Sequence, residues 1–131
     1  MRKLLLTAVL IHFVIAGWHG ASHQMVPVPL SGMQTAFVAI VIVALPLVGA
    51  ALCYSRYALQ GAALVCASLF ASFVFGLVYH FIVMSPDHIS QVPPGPWSGA
   101  FVWSSILVAL SEAVGAVVGA MEFRRLSRAR A

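Results

Sequence analysis

Charge is what this sequence has least of. Seven Lys or Arg and three Asp or Glu are all the ionised side chains in 131 residues, 8% against roughly 25% in an ordinary soluble domain. So few polar groups cannot coat a water-facing surface, and they also exclude a disordered chain, which needs charge to stay expanded. Cysteine is scarce too. Cys53 and Cys66 form no C-x-x-C pair, which removes a zinc-finger or iron–sulfur framework, and two apolar thiols in a bundle read as packing residues. No H-E-x-x-H and no nucleophile elbow is present, and Ser85, Asp87 and His88 stand too close together for a catalytic triad. What remains is 62% hydrophobic, with a mean hydropathy of +1.01. The chain reads as a membrane protein, and more as a binding protein than an enzyme.

Crossing the hydrocarbon takes about 20 apolar residues in a helix. Residues 34–53, 61–84 and 98–121 meet that length, and residues 4–20 form a shorter run. His12 interrupts the middle of that first run, which suits a span better than a cleaved signal segment. The expected fold is therefore all-α, a single four-helix transmembrane domain over residues 1–131. Its outer loops are residues 21–33 and 85–97, and a basic tail follows at 122–131.

Every basic residue falls on one side of that scheme. Arg2 and Lys3 precede the first span, Arg56 lies between the second and third, and Arg124, Arg125, Arg128 and Arg130 follow the fourth. The positive-inside rule then places both termini in the cytoplasm, in a bacterial or archaeal cytoplasmic membrane. The basic pI reflects a tail suited to anionic lipid headgroups, and nucleic-acid binding has no support. Six of the seven prolines lie in the outer loops; the seventh, Pro46, is expected to kink the second span.

Helices in lipid associate through small residues and hydrogen bonds. Ser68, Ser72 and Gly76 form such a row on the third span, and Gly115 and Gly119 a G-x-x-x-G on the fourth. These read as packing seams, either within the bundle or against a second copy or another membrane subunit. Glu112 and His12 need a different account, because an ionisable group inside a membrane normally has a partner. Glu112 lies nine residues before Met121 and His12 nine after Lys3, so both sit about 13–14 Å from the inner boundary. A His12–Glu112 pair is the expectation, with locking of two helices or a proton relay as its roles, and an unpaired, protonated Glu112 is the alternative.

The other histidines gather at the outer end. His19 and His23 are one turn apart, His80 stands near the end of the third span, and Met84, Asp87 and His88 follow it. Imidazole with thioether suits copper(I), and imidazole with carboxylate suits zinc, copper(II) or non-haem iron. His19 and His80 on separate helices could instead be axial ligands of a haem, with Gly17, Gly20 and Gly76 leaving space. Interfacial histidines that bond loops or headgroups are the third reading. Three functions stay open: a small protein binding a metal or haem, a non-catalytic accessory subunit of a larger complex, and proton-coupled transport through the Glu112–His12 layer.

Overall fold

The computed structural model describes residues 1–130 and contains no strand among them. Among the described residues four helices are long and apolar enough to cross a membrane: α1 (Arg2–Met25), α2 (Gly32–Leu52), α3 (Ala58–Ile82) and α4 (Ser98–Arg128). Even α2, with 21 residues, is about 32 Å long at 1.5 Å per residue, against roughly 30 Å of hydrocarbon. The helices alternate in direction, so both chain ends meet at one end of the bundle. There Arg2 Nε lies 3.9 Å from Glu122 Oε1. The two longer-range connections, residues 26–31 and 83–97, lie at the opposite, loop end.

Helix limits differ from expectation where the breakers lie. No proline follows Gly20 until Pro27, and α1 runs on to Met25. Val26, forced off helical backbone by the proline after it, stops the helix at φ −108° and ψ 135°. Residues 21–25 are thus helical rather than loop, and His23 keeps its place one turn above His19. The segment expected as a tail is mostly helix as well, since α4 continues to Arg128; Ala131 lies outside the described residues. Glu122 and Arg125, one turn apart, form a two-pronged ion pair of 2.6 and 2.7 Å inside that extension.

α2 begins with a reciprocal cap: Gln34 N–H donates to Ser31 Oγ at 3.2 Å, and Ser31 N–H donates to Gln34 Oε1 at 2.8 Å. Its middle, Val38–Ala44, widens into π-type turns just before Pro46. In a regular α-helix Ile42 O would accept the N–H of residue 46, which proline lacks. His12 Nε2–H of α1 donates to that carbonyl instead, at 3.1 Å. The proline's missing donor is supplied from a neighbouring helix.

The half of the bundle nearest the termini is closely packed. Leu5 and Val9 of α1, Val65 and Leu69 of α3 and Ala116 of α4 meet in one apolar core. Glycines permit the closest approaches. A Cβ on Gly61 would stand 2.6 Å from Gly49 O, and one on Gly119 would stand 2.8 Å from Cys66 N. The G-x-x-x-G of α4 therefore packs against α3 of the same chain, with Gly115 facing Leu69. Ser68 and Ser72 are buried in that contact and return their hydroxyls to their own helix, at Val65 O and Ser68 O. Outward-facing side chains are apolar: Val14 is 70% exposed and Trp103 is 64% exposed. The loop half is not filled, and its cavity holds the candidate site.

Candidate metal centre

Three histidines from two helices converge at the loop end. His19 and His23 project from successive turns of α1, and His80 from the last turns of α3. One ring nitrogen from each lies within 4.8 Å of the others. The closest pair is His19 Nε2 and His80 Nε2, 3.1 Å apart. Phe101, fully buried at the start of α4, backs the group, edge-on to His23 at 4.8 Å between ring centroids and tilted against His19 at 5.3 Å. Val26 and Val28 pack on the same phenyl ring, so the connection after α1 is tied to the histidine cluster.

The outer partners decide which nitrogens carry protons. His80 Nδ1 faces Asp87 O at 3.0 Å; a carbonyl only accepts, so Nδ1–H donates and the neutral ring presents a bare Nε2. His23 Nδ1 faces Val28 O at 3.5 Å in the same sense. His19 Nδ1 lies 3.0 Å from Ser104 Oγ, whose own hydrogen donates to Phe101 O at 3.0 Å. Nδ1–H of His19 then donates to Ser104, which leaves its Nε2 bare as well. Two bare nitrogens 3.1 Å apart repel unless a cation sits between them. Imidazoles fixed through Nδ1 by carbonyl or hydroxyl partners are how proteins present metal-binding Nε2 atoms. Without an ion, His19 can donate from Nε2 to His80 Nε2, provided the Ser104 hydroxyl turns to His19 Nδ1.

Asp87 adds negative charge beside the trio. The connection after α3 folds back so that Ile89 N–H donates to His80 O at 3.0 Å, which brings Asp87 inward. Its Oδ1 is buried without a hydrogen-bond partner, 3.4 Å from both His23 Nε2 and His80 Nδ1. Lying on the Nδ1 side of His80, it flanks the cluster.

The spacing distinguishes the expected ligands. With metal–nitrogen bonds of about 2.0–2.1 Å, two ligands on one tetrahedral edge are about 3.3 Å apart, and two trans ligands about 4 Å. The 3.1 Å between His19 and His80 fits neighbouring positions on one small ion. Their ring centroids are only 4.8 Å apart, which leaves no room for a macrocycle between them and corrects the expectation of axial haem ligation. Met84, which is 67% exposed, points away, as do Met25 and Met33, so thioether ligation is not formed either. His88 is also outside the cluster, its Nδ1 lying 2.8 Å from Ser90 Oγ. An imidazole and carboxylate set of this kind suits zinc, copper(II) or non-haem iron.

Nor does the expected His12–Glu112 pair form. His12 Nδ1 meets Ser111 Oγ at 3.2 Å, while its Nε2 serves Ile42 O. Equal depth was no guide to azimuth: each residue turns a helix by about 100°, and it is the neighbour of Glu112 that faces α1. Glu112 points elsewhere, into a cavity of about 790 Å³ that His19, His23, His80 and Asp87 also line. Its Oε2 is buried and has no hydrogen-bond partner. Ser104, which orients His19, was not among the expected site residues, because a serine in an apolar span looks like any packing residue. The chain matches no protein-family model, no curated protein and no solved structure.

Proposed function

We propose that this chain is an integral membrane protein that holds one divalent transition-metal ion on the Nε2 atoms of His19, His23 and His80. The convergence of one ring nitrogen from each of the three histidines, with His19 Nε2 and His80 Nε2 at 3.1 Å, carries this reading. Asp87 supplies compensating charge from the flank, and Ser104 and the Asp87 carbonyl hold the rings. Three protein ligands leave one tetrahedral position for water or another molecule, the pattern of zinc sites that do more than brace a fold. All three histidines line the cavity, so that position faces it.

The basic residues support an orientation with both termini in the cytoplasm and the metal centre near the opposite membrane face, within a bilayer of anionic lipid on the basic side. Transport through a single chain is the weaker reading. The polar groups run from the loop end to His12, and the apolar core around Leu5, Val65 and Leu69 closes the way beyond it. A subunit role in a larger membrane complex is compatible with metal binding and draws only on the apolar exterior.

Detergent-purified protein should contain zinc, copper or iron near one equivalent by elemental analysis. Replacing His19, His23 and His80 together by alanine should remove it, and His88→Ala should leave it unchanged. A wild-type protein that stays metal-free after incubation with each ion and desalting overturns the reading. Reporter fusions at both termini test the orientation, which fails if either terminus reports the far side.

A further inference from the structure

We infer that the cavity is a binding site for a neutral, largely apolar molecule bearing a hydroxyl group, which donates a hydrogen bond to Glu112. At about 790 Å³ the cavity is of the size that holds small organic ligands. Its walls are mainly aliphatic and aromatic, with Val38, Ile42 and Val43 of α2 facing Phe75 of α3. An apolar body is therefore suited to most of the space.

The polar end is set by Glu112. This side chain is 1% exposed, and Oε2 has no donor among the described residues. A buried acceptor without a donor is costly, and Glu112 lines a cavity with room for one. The space above it is left open by Gly76. A Cβ there would lie 3.6 Å from Glu112 Oε2 and 3.8 Å from His80 Cδ2, so the missing side chain separates the carboxylate from the histidine cluster. A head group seated in this gap touches Glu112 on one side and approaches the metal centre on the other.

The charge balance selects a neutral head. Asp87 and Glu112 line the cavity, and neither Lys nor Arg does. The divalent ion proposed on the imidazoles would repel an ammonium, and a carboxylate would meet two acidic side chains and no basic one. This choice of a neutral head rests on the proposed metal centre; the apolar body and the donor to Glu112 do not.

Fluorine NMR on the full chain in lipid nanodiscs tests the inference, with empty nanodiscs as the partitioning blank. The probes are 4-fluorobenzyl alcohol, 4-fluorotoluene and 4-fluorobenzylamine. Saturable binding of the alcohol at least tenfold tighter than the toluene is expected, with the advantage lost in Glu112→Leu. Gly76→Ala keeps the carboxylate and adds only ordinary contacts, so it should fold and should weaken the alcohol at least threefold by filling the gap. Equal binding of toluene, an alcohol advantage that survives Glu112→Leu, or an amine that outbinds the alcohol tenfold overturns the inference. So does absence of saturable binding. Should Glu112→Leu not fold, unchanged alcohol affinity in Gly76→Ala overturns it alone. Zinc content measured on the same samples separates the two proposals: an empty metal centre counts against the metal, and lost alcohol preference in zinc-loaded protein counts against this site.

Discussion

His19 and His80, 61 positions apart in sequence, bring their Nε2 atoms to 3.1 Å while each ring spends its Nδ1 on a partner behind it. The partners differ in kind. His80 is held by a backbone carbonyl that no substitution removes, whereas His19 depends on the hydroxyl of Ser104. Ser104→Ala should therefore free the His19 ring without touching the ion. Zinc affinity is expected to fall about 10–100-fold, the usual effect of losing such an outer partner. Competition against a chromophoric chelator measures it. Thermal stability in EDTA should fall by only about 1–3 kcal/mol, the cost of a lost buried hydrogen bond, and unchanged zinc affinity would show that Ser104 orients nothing.

Asp87→Asn tests the flanking charge. The amide keeps the shape of the side chain and leaves the backbone carbonyl that holds His80. Zinc affinity should drop about tenfold or more, because a buried negative charge beside the trio is lost. The metal-free protein should gain stability, since a buried oxygen without a donor is replaced by a neutral group. A variant that loses zinc affinity and metal-free stability together would place Asp87 in the fold rather than beside an ion.

Much of this site was legible in the residues. His19 and His23 lie four apart, which puts both on one helix face, and the sidedness of the histidines brought His80 to the same end. What periodicity cannot reach is the irregular connection after α3. There Asp87 turns inward and His88, the next residue, turns to Ser90. The His12–Glu112 expectation failed for a related reason: counting residues from the boundary gives depth, and rotation about the helix axis is set by packing. The four helices themselves were legible from hydropathy alone, but α1 and α4 run longer than the apolar stretches because no proline follows α1 before Pro27 and neither proline nor glycine follows Gly119.

The glycine seam between α3 and α4 gives a prediction with an internal comparison. A methyl group on Gly119 would meet the backbone of Cys66 at 2.8–2.9 Å, and backbone cannot step aside. On Gly115 it would meet the tip of Leu69, a flexible side chain. Gly119→Ala should cost about 1–3 kcal/mol of stability, in the range of overpacked cores, and Gly115→Ala distinctly less. Thermal unfolding in one detergent ranks the two. The reverse order would mean that α3 and α4 approach differently.

Glu122 is fully buried at the terminal end, with Arg125 as its close partner and Arg2 at 3.9 Å. Removing Arg125 leaves a buried carboxylate supported only by that longer contact, while Glu122→Gln removes the charge itself. Arg125→Ala should therefore lower the melting temperature more than Glu122→Gln does. Adding Glu122→Gln to Arg125→Ala should recover part of the loss. A double variant no more stable than Arg125→Ala would show that the arginine acts through packing and not through this pair.

His12 and Pro46 are coupled through Ile42 O, although they never bond to each other. Proline at 46 leaves the carbonyl without its helical donor, and His12 Nε2 supplies one at 3.1 Å. His12→Leu keeps an apolar body in place and strands the carbonyl, at a cost of about 1–3 kcal/mol. In a Pro46→Ala background the helix regains an N–H at the right position, so the same substitution should cost less. The coupling expected from a double-mutant cycle is about 0.5–1.5 kcal/mol, comparable with hydrogen bonds between membrane helices. Ser111→Ala, which removes the contact to His12 Nδ1 and the hydroxyl's bond to Val108 O in its own helix, should show no such dependence on residue 46. Additive costs for His12 and Pro46 would mean that the histidine is held for another reason and that the π-type turns of α2 accommodate the proline unaided.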